Sequence, residues 1–225
     1  MKKRLLFLSF AALAALLSCE KNSDTTFDLA LDAVDITLEN TSGSTKVNVW
    51  STKQWTARFA EPVDWASIDR LEGEGNYAIT FSWSQNVDIE RQVKLIFSIP
   101  EKSDTVLFTQ KGAFEPSMSF TGSKVLEASA TSAELSFKTN LVNHLDAIES
   151  EVSYLKYVLD DEDDEDVPTP EGGWVKNVSV NEDTVLVSLD PNTGTRPRKA
   201  RITLKFTKLN GGLTTTYVEI TQMNP

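Results

Sequence analysis

Apolar and polar residues alternate along short segments through most of the chain, with the two-residue period of a β-strand that buries one face. After residue 17 no long segment repeats its apolar positions with the period of a helix. Turn-forming clusters such as Asn40–Gly43 and Glu72–Asn76 separate the segments. In the first half the predicted strands are residues 27–31, 34–38, 46–50, 55–59, 77–83, 92–99 and 105–108. Short strands spaced by turns predict an antiparallel β-sandwich.

The second half of the chain shows the same pattern. Its predicted strands are residues 119–120, 133–138, 151–159, 174–180, 184–189, 200–208 and 215–221. A chain of 225 residues is long enough for two domains of about 100 residues each. We therefore expect an all-β protein of two tandem sandwiches, with domains at residues 27–112 and 113–225.

The first 26 residues are predicted to lie outside this fold. Lys2, Lys3 and Arg4 precede an apolar segment, residues 5–17, which is shorter than the roughly 20 residues of a membrane-spanning helix. The last two residues of the segment and the two that follow it read Leu16-Leu17-Ser18-Cys19, and this sequence resembles the lipobox of bacterial lipoproteins. The resemblance implies that residues 1–18 are a cleaved signal peptide and that Cys19 carries acyl chains such as palmitate. Residues 19–26 are polar and predict a flexible tether. The alternative is an ordinary signal peptide with an incidental cysteine.

Charge and cysteine content exclude several classes of function. The formal net charge is −11, and removing three basic residues with the signal peptide changes it to 19 − 33 = −14. So acidic a protein is a poor partner for nucleic acid or anionic lipid, which require basic patches. Cys19 is the single cysteine, so an acylated chain has no disulfide and no cysteine-ligated metal.

A set of four residue types occurs in the same order in both halves of the chain. A tryptophan is followed by an asparagine, an arginine that begins an alternating strand, and a closing Thr-Gln. The two sets are Trp65, Asn86, Arg91 and Gln110, and Trp174, Asn192, Arg198 and Gln222. Because the spacings differ only in turns, the order indicates a duplicated module.

These residues resemble the BACON domain, a small immunoglobulin-like sandwich of bacterial surface and secreted proteins. The resemblance is close over residues 27–112 and looser over residues 114–222, where an acidic insertion interrupts it. It implies two tandem immunoglobulin-like antiparallel β-sandwiches, and either carbohydrate binding or a role as a spacer. We interpret the four repeated residues as a folding signature, so a ligand site should lie elsewhere.

Sugar rings stack on exposed aromatic side chains, and three residues are candidates for such contact. Trp50 alternates with Lys46 and Asn48, out of phase with Val47 and Val49, so it is predicted to face solvent. The alternative for Trp50 is packing in the core or at its rim.

Tyr154 and Tyr157 are the other two candidates. They lie in opposite phases of one predicted strand, residues 151–159, so one of them should face outward.

No residues of the chain predict catalysis or a cofactor. His144 is the single histidine and has no serine motif nearby, so a surface or loop position is expected. The run Asp160–Asp166 could bind calcium, but it has Glu165 where an EF-hand loop has glycine, and a solvated loop is favoured. A carboxylate pair for glycoside hydrolysis is possible among so many acids, but none lies in a telling context.

These observations favour a non-enzymatic lipoprotein of the outer membrane, with no metal, that binds a polysaccharide or host glycan. The competing hypothesis is a structural spacer or an assembly subunit that contacts a surface protein through its sheet edges.

Overall fold

The computed structural model describes residues 28–159 and 168–225. The regular secondary structure of these residues consists of strands and a single turn of 3-10 helix at Leu145–Ala147. The predicted signal peptide, Cys19, the tether and the acidic run Asp160–Asp166 lie outside the described residues. Within the described residues, no helix has the length and apolar character needed to cross a membrane.

The first sandwich packs a four-stranded sheet against a five-stranded sheet. Its strands are β1 (Leu29–Leu31), β2 (Asp35–Leu38), β3 (Gly43–Ser51), β4 (Gln54–Phe59), β5 (Ala66–Ile68), β6 (Glu72–Glu74), β7 (Tyr77–Trp83), β8 (Arg91–Ile99) and β9 (Lys102–Gln110). The strand orders are β1-β3-β7-β5 and β2-β9-β8-β4-β6.

The second sandwich consists of two four-stranded sheets. Its strands are β10 (Met118–Phe120), β11 (Lys124–Leu126), β12 (Ser132–Thr139), β13 (Glu149–Leu155), β14 (Val175–Val180), β15 (Thr184–Leu189), β16 (Arg198–Thr207) and β17 (Leu213–Gln222). The strand orders are β10-β12-β15-β14 and β11-β17-β16-β13.

The two sandwiches have the same topology, with β6 as an addition to the first. In each, one sheet has the immunoglobulin order ABED and the other contains strands C, F and G. One short strand pairs in parallel with the last strand of each sandwich, namely β2 with β9 and β11 with β17. All other pairs are antiparallel, so the predicted fold class is confirmed.

Two separate hydrophobic cores follow from the alternation of apolar residues. Val47, Phe81 and Phe97 are fully buried in the first core, and Ile202 and Leu204 are fully buried in the second. Facing sheets bury these side chains between them, and burial of each large side chain contributes about 1.5–3 kcal/mol.

Trp83, the last residue of β7, is half buried and packs against the first core. Its indole Nε1 donates to the carbonyl oxygen of Thr41 at 2.7 Å, so its polar edge lies at the end of the sheet. Gly43 lies against the ring, and a Cβ atom there would come within 2.6 Å of it.

Asn86 organises one end of the first sandwich. It is 1% exposed, and its Nδ2 donates to the carbonyl oxygens of Ile89 and Lys111 at 2.7 and 3.0 Å. Its Oδ1 accepts from the backbone nitrogen of Asp88 at 3.0 Å. The side chain therefore satisfies three backbone groups in a loop that lacks sheet partners.

Asn192 makes the corresponding contacts in the second sandwich. Its Nδ2 donates to the carbonyl oxygens of Arg196 and Met223, both at 2.9 Å, and its Oδ1 accepts from Gly194 at 3.0 Å. The repeated asparagines thus have the same structural role.

Gln110 and Gln222 are both fully buried and connect the arginines to the backbone. Gln110 Oε1 accepts from Arg91 Nε at 2.8 Å, and Gln222 Oε1 accepts from Arg198 Nε at 3.0 Å. Each glutamine Nε2 also donates to backbone carbonyl oxygens at the start of its own sandwich.

Each arginine also stacks on the tryptophan of its own set. The guanidinium carbon of Arg91 lies 4.4 Å from the ring centroid of Trp65, and that of Arg198 lies 4.5 Å from that of Trp174. Burial lowers the pKa of both arginines, although a guanidinium retains its charge in proteins. The four residues therefore form one structural unit in each sandwich.

Replacing Asn86 by alanine should destabilise the first sandwich, because two carbonyl groups and one backbone N–H lose their partner. We expect the free energy of unfolding to fall by about 2–4 kcal/mol. Chemical denaturation followed by tryptophan fluorescence measures the change. The control is Gln85→Ala at the exposed neighbouring position, which should stay within about 0.5 kcal/mol. Equal stability of the two variants would contradict the assigned role of Asn86.

Candidate binding surfaces

Trp50 lies on the outer face of the sheet β1-β3-β7-β5. Val47 and Val49 point into the core from β3, whereas Trp50 is 39% exposed. The phase of the strand therefore predicted its orientation. Its partner on β1 is Ala30, which is small and leaves the sheet surface beside the indole open.

Polar groups flank Trp50 on the same face. Asn48 Nδ2 donates to Asp32 Oδ2 at 2.6 Å, and the backbone nitrogen of Asn48 donates to Asp32 Oδ1 at 3.0 Å. Ala78 pairs with Asn48 across β7, so a second small residue lies on this face. An exposed indole beside an oriented amide and carboxylate can stack on a sugar ring and bind its hydroxyl groups.

The structure separates the two candidate tyrosines. Tyr154 points inward from β13, and its ring centroid lies 5.8 Å from that of Trp174. Tyr157 lies beyond the end of β13 and lines a cavity of about 260 Å³ with Pro168 and Pro170. The predicted strand of residues 151–159 was too long, because pairing with β16 ends at Leu155.

Tyr217 is an exposed aromatic residue that was not among the sequence candidates. It is 58% exposed on the outer face of β17, and the guanidinium carbon of Arg201 lies 4.5 Å from its ring centroid. Arg201 and Lys199 both contact Glu219, and their hydrogen bonds lower the pKa of its carboxyl group. The alternation with buried Val218 could have identified this residue.

The only histidine of the chain lies where the two sandwiches meet. His144 Nε2 lies 3.1 Å from Asp88 Oδ1, and Asn143 Nδ2 donates to Asp88 Oδ2 at 3.3 Å. Ile89, next to Asp88, packs against the core of the second sandwich. His144 therefore lies in a loop, as predicted, and contributes to a joint between the sandwiches.

Asp88 is the acidic partner in this joint. Burial raises the pKa of its carboxyl group, but hydrogen bonds from Ile89, His144 and Asn143 outweigh burial and hold the pKa below its usual value. In the described residues no three His, Cys, Asp or Glu side chains come close enough to hold a metal ion.

One family model matches part of the chain. Residues 160–223 match the BACON model, whose description is "Putative binding domain, N-terminal". This match confirms the resemblance to the BACON domain for the second repeat, the one that resembled the family more loosely. The second sandwich thus has the character of a binding or structural domain. No curated protein matches the sequence.

Solved structures with similar folds are distant in sequence. A GH5 xyloglucanase from Bacteroides ovatus, in complex with a heptasaccharide, has 14% identity and a TM-score of 0.35, covering 40% of this chain and 19% of the enzyme. Tandem titin immunoglobulin domains have 7% identity and a TM-score of 0.33, covering 88% of this chain and 97% of theirs. A structure of three titin domains has 15% identity and a TM-score of 0.32, with 88% and 65% covered. At these TM-scores the similarities carry no argument about function.

Replacing Asp88 by asparagine should weaken the joint at neutral pH and have little effect in acid. A carboxyl group whose pKa is lowered by folding stabilises the native state above its usual pKa of about 4, and this stabilisation is lost as pH falls through the lowered value. We expect a loss of about 1 kcal/mol or less at pH 7, because the side chain is partly exposed. Chemical denaturation of the variant and the wild type, from pH 7 down to below the usual pKa of about 4, measures the difference in the free energy of unfolding.

The control for this experiment is Asp146→Asn, because Asp146 is an exposed carboxylate close to His144 in the chain. That variant should match the wild type throughout. A constant difference between Asp88→Asn and the wild type at all pH values would contradict the electrostatic role of Asp88.

Proposed function

We propose that this protein is a non-enzymatic lipoprotein of the outer membrane that binds a polysaccharide or host glycan through its first sandwich. The observation that carries the proposal is the exposed indole of Trp50 on a sheet face with small and polar neighbours. The family description of a binding domain supports the general class. The acidic composition favours neutral glycans over anionic ones, because like charges repel.

The second candidate function is a spacer or assembly subunit of a cell-surface complex. The packing of Ile89 against the second core and the contact between Asp88 and His144 favour it, because a spacer needs a defined joint. In that case the purified protein binds no glycan and co-purifies with a surface protein.

Replacing Trp50 by alanine should weaken polysaccharide binding while leaving the fold intact. Loss of an aromatic platform is expected to weaken binding about ten-fold or more. A glycan array probed with the full chain, purified in detergent, measures the effect. The matched control is Tyr217→Ala, which removes an exposed aromatic residue from the second sandwich. Retention of binding in the Trp50 variant, or its loss only in the Tyr217 variant, would overturn the assignment to Trp50.

Replacing Cys19 by serine should release the protein from the membrane, because serine lacks the thiol that the acyl chain needs. Intact-mass measurement of the wild type should show the mass of several acyl chains on residue 19, and the variant should lack it. Stable anchoring needs more than one chain. An unmodified Cys19 in the wild type would end the lipoprotein proposal.

A further inference from the structure

A cleft of about 650 Å³ lies between the two sandwiches. One wall comes from residues 86–92 and from the linker at 111–116. The other comes from residues 206–210, which are the end of β16 and the turn that follows it, with His144 beside them. Ligand sites in proteins are typically clefts of roughly 300–1,000 Å³ and occur preferentially between domains. The position and size of this cleft are therefore those of a ligand site.

Phe114, in the linker, provides an aromatic surface in this cleft. It is half buried, and in the described part of the chain it packs with neither of the two hydrophobic cores. Its ring also makes no contact with another described aromatic ring. The fold thus leaves an apolar ring in a cleft where a ligand could cover it.

Glu90 provides a hydrogen-bond acceptor in the same cleft. The residue is half buried, and its carboxylate has no hydrogen bond or ion pair with any residue the structure describes. Other acids of the lining are paired, Asp88 with His144 and Glu115 with Lys208. The unpaired carboxylate is a free acceptor for hydroxyl groups.

The charges of the lining favour a neutral ligand. The lining contains three acids and three bases, Asp88, Glu90 and Glu115 against Arg91, Lys111 and Lys208, so its formal net charge is 3 − 3 = 0. Neither an anionic nor a cationic ligand is attracted by an excess of opposite charge. A neutral sugar, with an apolar ring face and hydroxyl donors, matches both Phe114 and Glu90.

The contacts at the joint preform the cleft. Ile89 packs against the second core, and the backbone nitrogen of Ala113 donates to the carbonyl oxygen of Asp88 at 2.7 Å. Gly112 permits this approach, because a Cβ atom there would lie 2.7 Å from the backbone nitrogen of Glu90. A preformed site loses less entropy when a ligand binds.

We propose that this cleft binds a short neutral oligosaccharide, with Phe114 stacked on a sugar ring and Glu90 accepting hydrogen bonds from its hydroxyl groups. The inference rests on the proposed role in glycan recognition and adds a second site to the surface around Trp50. The two sites belong to different parts of the molecule and can be tested separately.

Isothermal titration of the full chain with cello-, manno- and xylo-tetraose tests the proposal. At least one of these probes should bind the wild type, and Phe114→Ala should weaken its binding about ten-fold or more. Glu90→Gln retains the shape of the side chain and should weaken binding several-fold. Trp50→Ala should change the affinity by less than about two-fold, because separate sites act independently. Thermal unfolding verifies that each variant is folded.

Three results would contradict sugar binding in the cleft. The first is that none of the three tetraoses binds the wild type. The second is that Phe114→Ala and Glu90→Gln both bind with wild-type affinity, and the third is that Trp50→Ala loses as much affinity as Phe114→Ala. If polysaccharide binding on the array depends on Trp50 while no tetraose binds, the proposed function is supported and the cleft site is rejected. If tetraose binding depends on Phe114 while polysaccharide binding is unchanged in Trp50→Ala, the cleft site is supported and the site at Trp50 is rejected.

Discussion

The buried amide side chains at one end of each sandwich are the constraint on which the structure depends. Strands end there, and their last backbone groups have no sheet partner, which is costly when they are buried. Asn86 and Gln110 satisfy these groups in the first sandwich, as Asn192 and Gln222 do in the second. Because the chain has a single cysteine, no disulfide can brace either sandwich, and burial and these networks hold each together.

The same network shapes the joint in the first sandwich. Asn86 holds the loop that presents Asp88 and Ile89 to the second sandwich. The corresponding loop after Asn192 has Gly194 and Thr195 at the offsets that Asp88 and Ile89 occupy after Asn86. The repeated residues therefore specify the module, whereas the unrepeated residues between them determine what each module contacts. The proposed ligand contacts, Trp50, Phe114 and Glu90, accordingly lie outside the four repeated residues.

Period-two alternation predicted the longer strands, and the bounds of β7 and β15 agree with the prediction. It missed the three-residue strands β5, β6 and β11, which are too short to show a period, and β6 lies in the segment Glu72–Asn76 that was predicted as a turn. It failed at residues 156–159, where Tyr157 and Val158 have high β propensity but no partner strand. It could not predict the joint, because the contact between Asp88 and His144 depends on how two separately folded sandwiches meet. The exposure of Trp50 was predictable from phase, whereas the cleft around Phe114 was not, since its walls come from distant parts of the chain.

A fixed joint also affects how the proposed binding surfaces act together. If Trp50 and the cleft bind parts of one glycan, the second contact becomes intramolecular, and its effective concentration depends on the distance between the sites. The packing of Ile89 restricts the relative motion of the sandwiches and therefore makes that distance more uniform. The joint then serves both candidate functions, because the property that makes a good spacer also pre-organises two weak sugar sites.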